Sequence, residues 1–446
     1  MRIVIAGAGN VGTHLVKMFT DNNHDVVIID SNRDNLHEIA SHYDVMTVFG
    51  TASSRQILEE AEIGKAKLFI AVSNYQETNI LSAILAKKLG AKQTVARIDN
   101  SEYLVEDNEQ MLRDLGVDIL IYPEILASEE IYNHLKQPGI LKTISFASGK
   151  LNLYTIRITE KSDLVNKNLS DIAQLFPGVV ARIVAIVRES DTIIPRGKDT
   201  ILLNDILYII TDDKGRTIVS SIIGEHEHDI KNVMILGGSR IGVKVAKLLE
   251  KHCYVKLFEK LRDKSFEIAD MLKDTLVLNS EARTADFLLD EGIGKTDAFI
   301  AVAGNSEINM LSCMLAKKLG VKNTFAEIEN IDYFDLAKSS EIDYVVNKKL
   351  IAASKIFALV IDAEVLSIQY FTDTQAEILE FVVHNSSKVI RKPIKDLDFP
   401  EQAIIGGIVR QEMPFIAVGD TQLLPDDKVV VFCLPGFSSK IAKWFK

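Results

Sequence analysis

Residues 63–103 and 293–333 are two versions of one segment. The first reads IGKAKLFIAVSNYQETNILSAILAKKLGAKQTVARIDNSEY, the second IGKTDAFIAVAGNSEINMLSCMLAKKLGVKNTFAEIENIDY. At a constant offset of 230, 23 of the 41 positions are identical. Whatever this segment folds into, the chain must contain twice. The same offset lays Gly7 on Gly237 and Gly12 on Gly242, so the duplication starts at the beginning of the sequence.

A weaker repeat follows each copy. RIVAIVR (182–188) precedes DTIIPRGKDTILLNDILYII, and IIGGIVR (404–410) precedes QEMPFIAVGDTQLLPDDKVVVF. Each run ends in Arg188 or Arg410 and is followed by an acidic or amide turn, Asn204-Asp205 or Asp426-Asp427. The period is too long for a solenoid, so the chain reads as a tandem duplication of a two-domain unit. The 446 residues hold four domains on this reading: 1–135, 140–225, 230–360 and 364–446.

The first segment of each unit alternates strands and helices. RIVIAG, DVVIID, VMTVFG, LFIAV and TVARID are nearly continuous apolar or β-branched runs. THLVKMFTDN, RDNLHEIASHY, SRQILEEAEI and TNILSAILAKKLG lie between them with helical patterning, the last stopped by Gly90. Strands of this kind alternating with helices predict a doubly wound parallel sheet covered on both faces, an α/β Rossmann-like domain. The second segment is a series of short strands (ISFAS, LYTIRIT, VVARIVAIVR, ILYIIT), which predicts a small α+β domain.

Gly7-Ala8-Gly9-Asn10-Val11-Gly12 fits G-x-G-x-x-G, directly after a strand and before a helix. Gly7 permits the tight turn, Gly9 lets a pyrophosphate approach the backbone, and Gly12 lets helix and strand pack closely. The helix N-terminus supplies amides and a favourable dipole for phosphate. Asp30 ends the second strand, placed to hydrogen-bond a ribose diol. Its charge would repel a 2′-phosphate, so NAD(H), ATP or ADP is expected rather than NADP. The second copy has Gly237-Gly238-Ser239-Arg240-Ile241-Gly242, with Glu259 ending its second strand. Ser239 stands where the middle glycine should be and would hinder close approach of a phosphate.

Further candidates lie at strand ends. Gly50-Thr51-Ala52 follows the third strand, Val72-Ser73-Asn74 the fourth, and Arg97 lies in the fifth. An arginine in a strand interior is costly unless paired, so Arg97 needs an anion, either a phosphate or a neighbouring carboxylate. The second copy carries Glu327 at that position, so the copies are electrostatically unequal. Asn79 and Asn309 open the fourth helices and read as helix caps.

Several classes are excluded or disfavoured. Lys plus Arg is 51 and Asp plus Glu is 62, a net charge of −11. Such a chain is poorly matched to nucleic acid or anionic lipid. Cys253, Cys313 and Cys433 are odd in number and far apart, with no disulfide or metal-ligand pattern. No uncharged run approaches the ~18 residues of a membrane span. The expectation is a cytoplasmic protein. His226-Glu227-His228 falls between the units and reads as a solvated linker. The nine histidines do not recur at strand ends in both copies, and His14 is matched by Lys244. An NAD-dependent oxidoreductase would need a general acid/base over the nicotinamide and a larger substrate domain. It stays as the alternative; no catalytic or metal-ligating residue is assigned.

GAGNVGTHL, DVVIIDSN, LFIAV…ETNILSAILAKKLG and ARIDNSEY together resemble the RCK/KTN nucleotide-sensing domain. The second segments resemble its RCK-C companion, and the tandem order resembles the TrkA family of cytosolic regulatory subunits of Trk potassium uptake systems. The resemblance covers essentially the whole chain. It implies a homo-oligomeric ring beneath a multi-span membrane potassium channel or transporter subunit. The ring would bind NAD(H) or ATP/ADP and pass the resulting domain motion to the pore. It places cofactor contacts on Gly7 through Val11, Asp30, Thr51, Ala52, Ser73 and Arg97. In the second copy they fall on Gly237 through Ile241 and on Glu259. Many relatives carry Gly-Asp-Ala after the third strand. This chain has Gly50-Thr51-Ala52 there, and Asn279-Ser280-Glu281 in the second copy.

Overall fold

The computed structural model describes residues 1–21, 24–136, 140–146, 149–160, 162–171, 181–189, 191–212, 215, 219, 222, 230–282, 284–330, 333–361, 367–370, 377–434 and 436–445. His226-Glu227-His228 lies outside them. Two compact units form, each drawing on both halves of the sequence: residues 1–135 with 230–360, and 136–229 with 361–446.

In the first unit, β1 (Arg2–Ala6), α1 (Asn10–Asp21), β2 (Asp25–Asp30), α2 (Arg33–His42), β3 (Met46–Phe49), α3 (Arg55–Glu60), β4 (Leu68–Ala71), α4 (Gln76–Lys88) and β5 (Gln93–Arg97) follow one another. The periodicity also continues past the fifth strand, through α5 (Glu106–Leu115), β6 (Ile119–Ile121) and α6 (Pro123–Lys136). The strands form a six-stranded parallel sheet in the order β3-β2-β1-β4-β5-β6. The second copy repeats this order with six strands of its own. The connections reverse direction between β1 and β4, which opens a crevice at their carboxyl ends.

The apolar runs of β1, β2, β4 and β5 are buried because both sheet faces are covered, whereas the edge strand β3 buries only Val48 and leaves Met46 and Phe49 exposed. Val4, Val27 and Phe69 pack under α3, α4 and α5, through Leu58, Ala83, Ala86 and Leu112. Each α4-type helix is also pinned at its carboxyl end. Lys87 donates to both carboxylate oxygens of Asp118 (2.9 and 2.7 Å) and to the Lys92 carbonyl, while Lys317 does the same with Asp343 and Lys322. The next residues, Lys88 and Lys318, are exposed.

The last helix of the first copy does not serve its own sheet alone. Ala127, Ile131 and Leu135 of α6 lie in one core with Val233, Ile235, Val245 and Ile300 of the second copy. In return, Phe357 from the last helix of the second copy packs on Phe19 of α1, ring centres 5.1 Å apart. The two sheet domains therefore share core residues.

Among its described residues the second unit holds two five-stranded sheets made of antiparallel pairs. Ile140–Phe146, Leu151–Arg157, Ala181–Arg188, Asp191–Ile193 and Ile206–Thr211 build one, and Ser367–Tyr370, Glu377–Val382, Ala403–Arg410, Met413–Ile416 and Lys428–Cys433 the other. Leu151, Val184, Tyr208 and Ile210 share a core with Ile378, Ile404, Val430 and Phe432. The repeated arginine and acidic turn have a structural explanation. Arg188 forms a two-pronged pair with the buried Asp205 (2.9 and 2.8 Å), and Arg410 with the buried Asp427 (2.8 Å twice). Each arginine also donates to a carbonyl of the preceding loop, Thr200 or Gln422. Fixed, planar pairs of this kind hold the turn against the strand.

Candidate functional site

The three glycines of the first turn have separate roles. Gly7 has φ +110°, and a Cβ there would lie 2.8 Å from the Ser73 amide nitrogen. A Cβ on Gly12 would lie 1.8 Å from the Gly7 carbonyl oxygen, so α1 passes as close to the turn as a chain can. Gly9 is different: among the described residues nothing lies within 4 Å of its Cβ position, and the residue is exposed beside the start of α1. The first and third glycines are required by the protein itself, whereas the middle one faces open space.

That space belongs to a cleft of ≈340 Å³ at the β1–β4 crevice. It is lined by Gly7, Gly9, Asp30, Thr51, Ala52 and Ser73 of the sequence-derived set, with Asn35, Gly50, Asn74, Tyr75 and Thr78 among the others. The volume is within the ~300–1,000 Å³ usual for small-molecule sites. Asp30 is half-buried and oriented by two backbone donors, Ala8 N–H at 2.6 Å and Asn32 N–H at 2.7 Å. Ala8, Val11 and Gly12 are buried in the turn, and Asn10 opens α1 at the surface.

Asn35 and Thr78 were not anticipated. Each lies in the first turns of a helix that follows a strand end, and ordinary polar residues there carry no motif.

Two expectations need correction. Asn79 and Asn309 are not helix caps. The residue before α4 is Tyr75, with no side-chain capping bond, and the corresponding cap in the second copy is Asn305. Asn79 is buried and acts as a clamp between strand ends. Its Oδ1 accepts from the Ser73 amide (2.9 Å) and hydroxyl (2.7 Å), and its Nδ2 donates to the carbonyls of Ser73 (3.0 Å) and Arg97 (2.9 Å). Asn309 makes the matching bonds to Ala303 and Glu327. Arg97, in turn, is the last residue of β5 rather than an interior one. It is partly exposed, outside the cleft lining, and no carboxylate pairs with it among the described residues.

The second copy presents different chemistry. Ser239 caps its first helix, accepting from Gly242 N–H at 3.3 Å. Gly237 repeats the strained turn at φ +108°, and Gly238, Ile241 and Gly242 are buried. Arg240 is exposed and lies 3.7 Å from Asp99 of the first copy. Glu259 accepts from the amides of Gly238 (3.1 Å) and Leu261 (2.9 Å) and pairs with Lys264 at 3.1 Å. Burial works to raise its pKa, but the Leu261 amide and Lys264 outweigh that and hold the carboxyl below its ordinary value. Glu327, 2% exposed, has its pKa raised by burial, against the opposing charge of Lys348 at 3.3 Å.

His14 lies on α1, with its Nε2 buried and without a hydrogen-bond partner among the described residues. Burial, then the charge of Lys17, lowers its pKa from 6.5. A depressed histidine pKa means that the folded state holds the neutral ring, so protons bind more tightly to the unfolded chain. The stabilising contribution is present above about pH 6.5 and is lost as the pH falls through the lower folded value. The melting temperature should therefore drop more between pH 7.5 and 5.5 for the parent than for a His14→Gln variant. Equal drops would remove His14 from the acid response.

Comparison with known proteins places this architecture. The TrkA-N domain family matches residues 3–123 and 233–348, and the TrkA-C domain family matches 153–219 and 378–446. The chain is 33% identical over 438 residues to the Trk system potassium uptake protein TrkA of Vibrio alginolyticus, covering 97% of this chain and 95% of that protein. It is 31% identical to the TrkA homolog of Archaeoglobus fulgidus over the full length of both. Among solved structures, the GsuK RCK domain superposes with a TM-score of 0.63 at 15% identity, covering 100% of this chain and 94% of that one. The GsuK channel bound to NAD gives 0.63 at 14%, covering 100% and 78%. These structures share the fold. With both domain types matched twice and relatives aligned end to end, the chain belongs to the TrkA family of Trk system potassium uptake proteins.

Proposed function

We propose that the chain is the nucleotide-sensing regulatory subunit of a membrane potassium uptake system. The observation that carries this is the first cleft, where an open Gly9, a helix N-terminus and an oriented Asp30 meet at the β1–β4 crevice. Gly9 leaves room for phosphates against the backbone, and Asp30 can accept from a ribose diol. NAD(H), ATP and ADP meet both requirements. Among the described residues that line the cleft there is no histidine, cysteine or lysine, which supports sensing over hydride transfer. A sensor needs only a ligand that binds two conformations unequally.

The partner is a multi-span potassium channel or transporter subunit, and the chain works at the cytoplasmic face of the membrane through it. Among the described residues no helix is long and apolar enough to cross a membrane. Leu81 and Leu311 stay exposed on the two α4-type helices, which supports self-association into a ring.

Co-purification with such a membrane subunit, with potassium flux measured with and without nucleotide, tests the reading. Nucleotide should change flux only when the chain is present. Flux indifferent to both would overturn it, and turnover of NADH with a small substrate would favour an oxidoreductase.

A further inference from the structure

We propose that the second glycine turn is closed to nucleotide by its own side chains, so that the chain carries one adenine-nucleotide site, in the first copy. The inference rests on the sensor reading above and specifies which of the two duplicated turns does the sensing.

The two acids at the ends of the second strands are held alike by backbone amides, but they differ in what else they meet. Asp30 is half-buried, lines the cleft and has no basic partner among the described residues. Glu259 is 6% exposed on its side chain and pairs with Lys264. When the two acids are aligned, Lys264 falls on Asn35, which lines the first cleft. The second copy thus places an ammonium group at the position where the first leaves a neutral rim. A ribose diol would have to displace that ion from a carboxylate that is already saturated.

Three further differences point the same way. Ser239 Oγ takes the Gly242 amide, one of the donors a phosphate would use at a helix N-terminus. Asn279 Nδ2 donates to the carbonyls of Glu259 (2.9 Å) and Lys260 (3.0 Å), tying the third strand to the loop after the second. The strand register matches Asn279 with Phe49 of the first copy, one residue before the Gly50 with which the sequence aligned it, and Phe49 is exposed and unable to make such bonds. Glu327 puts a buried carboxylate where the first copy has the guanidinium of Arg97. An internal ion pair, an internal cap and an internal clamp together take the groups that would meet a nucleotide.

The second copy then acts as a fixed partner. Since α6 of the first copy is buried in its core, a change in the first cleft is read against a domain that has no ligand state of its own.

Calorimetric titration of the full chain with NAD⁺, NADH, ATP and ADP tests this. One nucleotide should bind per chain. Gly9→Glu should remove all binding, and Glu259→Gln should leave the stoichiometry at one. A stoichiometry of two overturns the inference while leaving the sensor reading intact, as does binding that survives Gly9→Glu. Asp30→Asn provides a second first-copy variant should the glycine substitution disturb folding. A parent chain that binds none of the four overturns the sensor reading itself, and this inference with it.

Discussion

Replacing Gly9 by glutamate is expected to weaken adenine-nucleotide binding at least a hundredfold, or by more than about 2.7 kcal/mol, while leaving the fold intact. Among the described residues no atom lies within 4 Å of the Cβ position of Gly9, so the new side chain has room to leave the backbone undisturbed. A carboxylate beside the start of α1 is, if anything, favourable to the helix. The same charge stands where phosphate must come, however, and both the volume and the charge oppose the ligand. Binding measured by calorimetry should disappear while the melting temperature stays close to the parent value. A variant that binds normally would show that phosphate does not approach the backbone there.

Gly12→Ala is expected to do the reverse. Its Cβ would lie 1.8 Å from the Gly7 carbonyl oxygen, a backbone atom that cannot turn aside as a side chain could. Either α1 shifts outward, opening the core around Leu15, Val16 and Phe19, or the turn itself distorts. Overpacking in a tight core costs ~1–3 kcal/mol and occasionally more, and this contact belongs at the upper end. The urea midpoint should fall by an amount equivalent to about 3 kcal/mol, and any loss of nucleotide binding should follow from loss of structure. Unchanged stability would mean that helix and turn are packed less closely than the geometry requires. The pair of variants separates the two duties of one motif, since Gly9 serves the ligand and Gly12 serves the packing.

Much of this was open to inspection of the residues. The five runs of apolar and β-branched residues became β1 to β5, because a sheet covered on both faces demands apolar side chains on both. The acid at the end of the second strand landed in the cleft in the first copy, because position in a parallel strand determines which end of the sheet a residue reaches. The sixth strand, Ile119–Ile121, is only three residues long, too short for a period to register. Asn79 was legible as a polar residue near a helix start. Its work depends on the carbonyl of Arg97, 18 positions away, which local patterning cannot place.

The duplicated sequence by itself determined that there are two sheets of one topology, where each turns around a glycine, and which strand ends carry the acids. These follow from side-chain period, backbone freedom and order along the chain, all local properties. Only the tertiary structure decided that the two copies exchange core helices, that Arg188 and Arg410 each lock a buried aspartate, and that Lys264 saturates Glu259 while Asp30 stays available. Each of these depends on a distance between groups brought together by folding. Two copies with the same plan can therefore differ in the one respect that matters for a ligand: whether the polar groups around the turn are already satisfied.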